Sequence, residues 1–119
     1  MNIDERTVGD VVVLAISGDI TMVDSGAPRL ADKVRSLLQQ GYRRLVLDLA
    51  HVHYVDSGGL GELVHAYSTV RKQGGAINLL RVTRRLNDLL VMTRLLNVFD
   101  CFDSESEALA SFEAPAPIR

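Results

Sequence analysis

The stretch from Leu45 to Gly61 constrains this chain most. The apolar run Leu45-Val46-Leu47-Asp48-Leu49-Ala50 leads into Tyr54-Val55-Asp56-Ser57-Gly58-Gly59-Leu60-Gly61. Apolar residues at consecutive rather than alternate positions indicate a strand covered on both faces, as in sheets sandwiched between helices. The residues after it predict a tight turn and then a helix that opens on a serine, with Ser57 as its N-cap. One hydroxyl is thereby set at the positive end of a helix, beside the Asp56 carboxylate, on a rim with few side chains. A serine so placed can be hidden, bound or phosphorylated, and each outcome changes the surface sharply.

The rest of the chain supplies the partners such a strand needs. Ile3 to Val8 and Val11 to Ile16 read as two strands joined at Gly9-Asp10, the second ended by Gly18-Asp19. Ala27, Leu30, Val34, Leu37 and Leu38 recur at helical spacing, with Pro28 suited to the first turn and Gly41 to the stop. Leu60, Leu63, Val64, Tyr67 and Val70 trace a second helix that stops at Gly74-Gly75, and Ala76 to Leu80 is another strand. Thr83 caps a third helix with Leu86, Leu89, Leu90 and Met92 facing inward, and Val98-Phe99 is a last short strand. Ser104-Glu105-Ser106-Glu107 fits a capping box for a final helix through Leu109 and Phe112. Alternating strands and helices predict an α/β domain over residues 1–113: a mostly parallel central sheet of four to five strands with about four packed helices. Residues 114–119, rich in Ala and Pro, are expected as a flexible tail.

Composition narrows the function classes. At 119 residues the chain suits a single domain, and a net charge of -2 lacks the basic excess of a nucleic-acid surface. The apolar runs are too short to enter a membrane, and Met1 to Arg6 shows no signal-peptide stretch, so a cytoplasmic protein is expected. The one cysteine, Cys101, cannot form an internal disulfide and is expected as a small buried hydrophobe beside Phe99 and Phe102.

Ligand sites in open α/β sheets gather beyond the carboxyl ends of the strands, where both Gly18-Asp19 and Asp56-Ser57 fall. Gly58, Gly59 and Gly61 crowd one helical turn, each costing about 0.5–1 kcal/mol relative to alanine. Their clustering suggests a backbone kept bare for something to approach. Leu60, isolated among them, aims either at the core or at a partner. Phosphate on Ser57 would add about -1.5 to -2 charges near neutral pH, favoured by the helix end and opposed by Asp56 and Asp19. Val23-Asp24-Ser25-Gly26 repeats the Val-Asp-Ser-Gly of residues 55–58, so Ser25 is the decoy for Ser57.

Leu45 to Leu49, Val52 and Val55 to Gly61 resemble the core signature of the STAS-domain family of anti-sigma-factor antagonists. The likeness extends to Gly18-Asp19-Ile20, Gly74-Gly75, Leu86 to Phe99 and Asp103 to Leu109, nearly the whole chain. The resemblance implies a non-enzymatic partner-switching protein without cofactor or metal. In the stand-alone members the matching serine, here Ser57, is phosphorylated by a serine protein kinase that is also the anti-sigma factor. The unphosphorylated antagonist binds that kinase, the phosphorylated one lets go, and a phosphatase restores it. The implied partner-contacting residues are Asp19, Thr21, Asp56, Gly58, Gly59 and Leu60. Two departures stand out: Gly58 replaces the usual Ser or Thr, which removes a hydroxyl from the kinase-facing turn, and Arg94 stands where a glycine is common.

Other chemistries fit less well. A phosphate-cradling loop needs a lysine after its glycines, but Gly61 is followed by Glu62, Leu63 and Val64. A nucleophile elbow needs a glycine two before the serine, where Val55 stands. His51 and His53, with His65 or Asp48, read as a wet strand end rather than a metal site. The alternative of another class is a constitutive STAS adaptor in a stressosome-like assembly or on a transporter ATPase.

Overall fold

The computed structural model describes residues 1–21 and 30–113; Ser25, Ala27, Pro28 and the C-terminal segment lie outside them. Among the described residues, β1 (Asn2–Val8), β2 (Val11–Ile20), β3 (Arg44–Val55), β4 (Ala76–Leu80) and β5 (Asp100–Phe102) form one sheet in the order β1-β2-β3-β4-β5. β1 runs antiparallel to β2, and the other neighbours are parallel. The crossovers are α1 (Leu30–Gln39), α2 (Ser57–Lys72) and α3 (Arg84–Met92), and α4 (Glu105–Glu113) closes the domain.

The consecutive apolar runs are explained by two separate cores. Val12, Leu14 and Ile16 of β2 and Leu45, Leu47 and Leu49 of β3 pack with the buried stripes of α1, α2 and α3. The alternate residues Val11, Val13 and Val46 join Leu80 and Ala108 under α4. Each fully buried aliphatic side chain contributes about 1.5–3 kcal/mol, so the central pair β2 and β3 is the most strongly held part of the sheet. Asp48 interrupts the apolar run for a structural reason. One of its oxygens accepts the Ala50 N–H at 3.2 Å and the other pairs with Arg81 at 3.2 Å. β4 pairs with β3 only as far as Asp48, opposite Leu80.

The three crossover helices stop in the same way. At the end of α1 the Gly41 N–H donates to Leu38 and the Tyr42 N–H to Leu37; after α2 the Gly74 and Gly75 N–H groups reach Arg71 and Val70. After α3 the Arg94 and Leu95 N–H groups reach Val91 and Leu90. This is the double hydrogen bond that closes a helix on a left-handed residue. That residue is Gly41 (φ 100°), Gly74 (φ 77°) and Arg94 (φ 61°) in turn. The glycine expected at the last position is thus explained by backbone conformation.

Several expectations shift. β2 continues to Ile20 and β3 to Val55, because β3 carries an extra residue against β2 at two register shifts. The last strand is Asp100–Phe102, not Val98-Phe99. Phe99 is a core residue instead, its ring meeting Tyr67 edge-on with centroids 5.3 Å apart. Cys101 is exposed on that edge strand rather than buried. Met92 points outward and is 81% exposed, since Leu86 and Leu90 already fill the inward face of so short a helix. Thr83 does cap α3, accepting from the Leu86 N–H at 3.3 Å, and Ser104 caps α4 through the Glu107 N–H at 3.2 Å.

Candidate functional site

β2 and β3 are parallel, so their carboxyl ends emerge on one rim, where α2 begins. The junction is tight. The Asp56 N–H donates to the Ile20 carbonyl at 3.4 Å, tying the end of β2 to the entry of α2. Asp56, not Ser57, is the N-cap: its carboxylate accepts from the Gly59 N–H at 2.7 Å, and its carbonyl takes the Leu60 N–H at 2.8 Å. An aspartate cap places negative charge where the helix end is positive, a favourable arrangement of about 0.3–1 kcal/mol. Ser57 is therefore the first helical residue. It is exposed, and no described residue hydrogen-bonds its hydroxyl.

The three glycines separate by role. A Cβ on Gly59 would stand 1.8 Å from the Ile20 carbonyl oxygen, so this glycine exists to let α2 approach the end of β2. What its bare backbone admits is the protein itself. A Cβ on Gly61 would meet no atom of the described residues within 4 Å. Gly58 and Gly61 line a shallow hollow between α1 and α2 with Asp32, Arg35, Glu62 and His65. The docked Ile20 carbonyl sets its two neighbours beside the turn: Asp19 is exposed and opposite Tyr54, and Thr21 is half-buried just past the strand.

Of the residues singled out in the sequence, Asp19, Thr21, Asp56, Ser57 and Gly58 gather on this rim with solvent access, while Gly59 is buried. Leu60 turns mainly to the core and is only 7% exposed. A side chain one position past Gly59, on a helix pressed against β2, falls on the inward face. Its remaining surface borders a groove with Ser57, Val64, His65 and Leu95. Among the described residues no three His, Cys, Asp or Glu side chains converge as metal ligands. No helix among them is long and apolar enough to cross a membrane.

The sequence reading missed a second feature of the rim. Tyr54, Leu89 and Met92 open a groove between the end of β3 and α3. The exposed Tyr54 beside an apolar Val55 was the available signal.

A mostly parallel sheet that offers an exposed serine at the entry of a crossover helix, pinned to the neighbouring strand end, defines a compact α/β domain whose distinctive chemistry is at its rim. The STAS domain model matches residues 2–108. The chain is 34% identical over 100 residues to the anti-sigma-B factor antagonist of Bacillus subtilis, covering 84% of this chain and 89% of that protein. It is 27% identical over 108 residues to the anti-sigma F factor antagonist of Paenibacillus polymyxa, covering 87% of each. The crystal structure of an anti-sigma factor antagonist from Mycobacterium paratuberculosis superposes with a TM-score of 0.81 at 22% identity, over 95% of this chain and 94% of that one. The Bacillus cell fate determinant SpoIIAA in its phosphorylated form superposes with a TM-score of 0.70 at 16% identity, over 93% and 99%. The chain belongs to the STAS-domain family.

Proposed function

We propose that this protein is an anti-sigma-factor antagonist of the partner-switching kind, with Ser57 as its phosphate acceptor. The observation that carries the reading is the exposed Ser57 hydroxyl, unengaged among the described residues, next to a helix already capped by Asp56. Modifying that hydroxyl removes no hydrogen bond made among the described residues. The unphosphorylated rim binds an anti-sigma factor that is also a serine kinase, and phosphorylation releases it. The 34% identity to an anti-sigma-B factor antagonist supports the same class.

The electrostatics suit a switch that keeps its shape. A phosphate at the first helical residue would meet the positive end of α2, while the carboxylate of Asp56, and that of Asp19 across the rim, would oppose it. The fold tolerates the charge, and a partner that fitted the bare serine is repelled. A phosphatase resets the state. The protein itself performs no chemistry, holds no cofactor, and acts in the cytoplasm.

The test is incubation with ATP and a serine kinase of the anti-sigma type, followed by phosphopeptide mass spectrometry and a binding titration. Phosphate is expected on Ser57 and absent from Ser57→Ala. Ser57→Ala should bind the kinase and not be released by ATP, whereas Ser57→Asp should stay folded and bind at least about tenfold more weakly, a loss of 1.4 kcal/mol. Wild-type affinity in both variants would overturn the assignment and leave a constitutive adaptor.

A further inference from the structure

Among the described residues, Arg81 (φ 54°) and Arg94 (φ 61°) are the non-glycine residues in the left-handed region, and they bracket a single helix, α3. A side chain in that conformation costs free energy and persists only where its surroundings hold it. Arg81 is held from two sides. Its N–H donates to the Phe102 carbonyl at 2.8 Å, and its guanidinium pairs with Asp48 at 3.2 Å. Arg94 is held by the helix cap, through its own bond to Val91 and the bond from Leu95 to Leu90.

Little fastens α3 between these two junctions. α1 and α2 each bury five residues, whereas α3 buries only Leu86 and Leu90. A helix of nine residues does not persist in water without docking. Val91 and Met92 in its last turn are exposed and add little to that docking. The remaining tie is the ion pair of Arg81 with Asp48. The Asp48 side chain is 12% exposed, so water and salt screen this pair less than a surface pair.

α3 is also the wall shared by two hollows. Leu86, Leu89 and Met92 close one of them against Val52, Tyr54 and Val55. Thr93 and Leu95, just past the last residue of the helix, close the other against Ser57, Leu60 and Val64.

We propose that α3 is a strap that opens locally while the sheet, α1 and α2 stay folded. In the open state α3 unwinds, and Arg81 and Arg94 return to ordinary backbone angles. Their strain favours opening; Leu86, Leu90 and the Asp48–Arg81 pair oppose it. Opening removes the wall between the two hollows, so the shape of the rim beside Ser57 depends on α3. The strap needs no phosphate and stands whether or not Ser57 is the acceptor.

The test is native-state hydrogen exchange by NMR on the full chain, over a series of low denaturant concentrations. Amides within residues 87–95 should share one opening free energy, lower than that of β2 and β3 and less sensitive to denaturant. Arg94→Gly removes strain and should slow this exchange about threefold. Arg94→Ala keeps the Cβ and should exchange near the wild-type rate. Asp48→Asn retains an acceptor for the Ala50 N–H but weakens the pair with Arg81, and α3 should then exchange about threefold faster or more. Exchange of α3 only together with β2 and β3 would overturn the proposal. So would equal rates in Arg94→Gly and Arg94→Ala, or an unchanged rate in Asp48→Asn.

Discussion

Gly59 and Gly61 stand two residues apart at the start of α2 and have opposite reasons for being glycine. A methyl group at 59 collides with the Ile20 carbonyl, and neither β2 nor α2 can retreat without breaking the Asp56 to Ile20 bond. Gly59→Ala should therefore destabilise the domain by about 3 kcal/mol. Gly61→Ala meets open space among the described residues and should stabilise it by about 0.5–1 kcal/mol, the ordinary helix gain. Chemical denaturation of the two variants separates these outcomes, and equal effects would mean that the contact with Ile20 does not limit the packing. The cluster of glycines was legible in the sequence, but its division of labour was not, because the Ile20 carbonyl comes from a strand far away in the chain. Asp56 and Ser57 are both good caps, so which one bonds Gly59 was decided by a one-residue shift that local preference does not settle. Cys101 carries a residue-scale prediction of its own. Partial burial, then the Asp100 and Asp103 carboxylates, push its thiol pKa up, so at any given pH it holds less thiolate than a free cysteine. Its alkylation by iodoacetamide should rise through a higher pH range than that of a cysteine in an unstructured, uncharged peptide, and Asp103→Asn should move the range down. A reaction faster than free cysteine near pH 7 would contradict the assignment.

At the scale of elements, α1, α2 and α3 share one closing geometry, and only α3 uses a residue with a side chain at the left-handed position. A non-glycine residue in that conformation costs roughly 1–2 kcal/mol, part of which glycine returns through its greater freedom in the unfolded chain. Arg94→Gly should accordingly raise stability by about 0.5–1 kcal/mol, while Arg94→Val, branched at Cβ, should lower it by more than that gain. Thermal melts of both variants check the pair; a destabilised Arg94→Gly would mean that the arginine side chain makes a compensating contact. The helices were legible from their apolar spacing and the capping residues Thr83 and Ser104. The far half of β3 was legible only in part: His51-Val52-His53 alternates as a wet strand end does, but the exposed Tyr54 breaks the pattern where the segment pairs on one side only. β5 was displaced by two residues because Phe99 reads equally as strand or core, and its contact with Tyr67 makes it core.

Viewed as a whole molecule, the domain is asymmetric across its sheet. The large core beneath α1, α2 and α3 carries the rim with Ser57, and the smaller core under α4 lies on the opposite face. The α4 layer depends on few aliphatic contacts and on one buried polar residue, Asn78, which is 4% exposed. Its amide nitrogen donates to the Ser111 hydroxyl at 2.6 Å, and that hydroxyl donates to the Ala108 carbonyl at 2.7 Å. Elements with few buried contacts open without unfolding the remainder, so α4 should exchange its amides through a sub-global opening. Asn78→Ala removes the bonds from its amide to Ser111 and to the Ala108 carbonyl, each at a net cost of about 0.5–1.5 kcal/mol. Because α4 packs only on its own side, that cost should appear mainly as faster exchange over residues 105–113, by about tenfold for each 1.4 kcal/mol, with β2 and β3 shifting far less. Native-state hydrogen exchange on Asn78→Ala reads both regions in one experiment. Equal acceleration in β2 and α4 would show that the two cores unfold together. Separate acceleration would establish that the face opposite the rim can loosen while Ser57, Asp56 and the end of β2 keep the geometry on which the proposed switching depends.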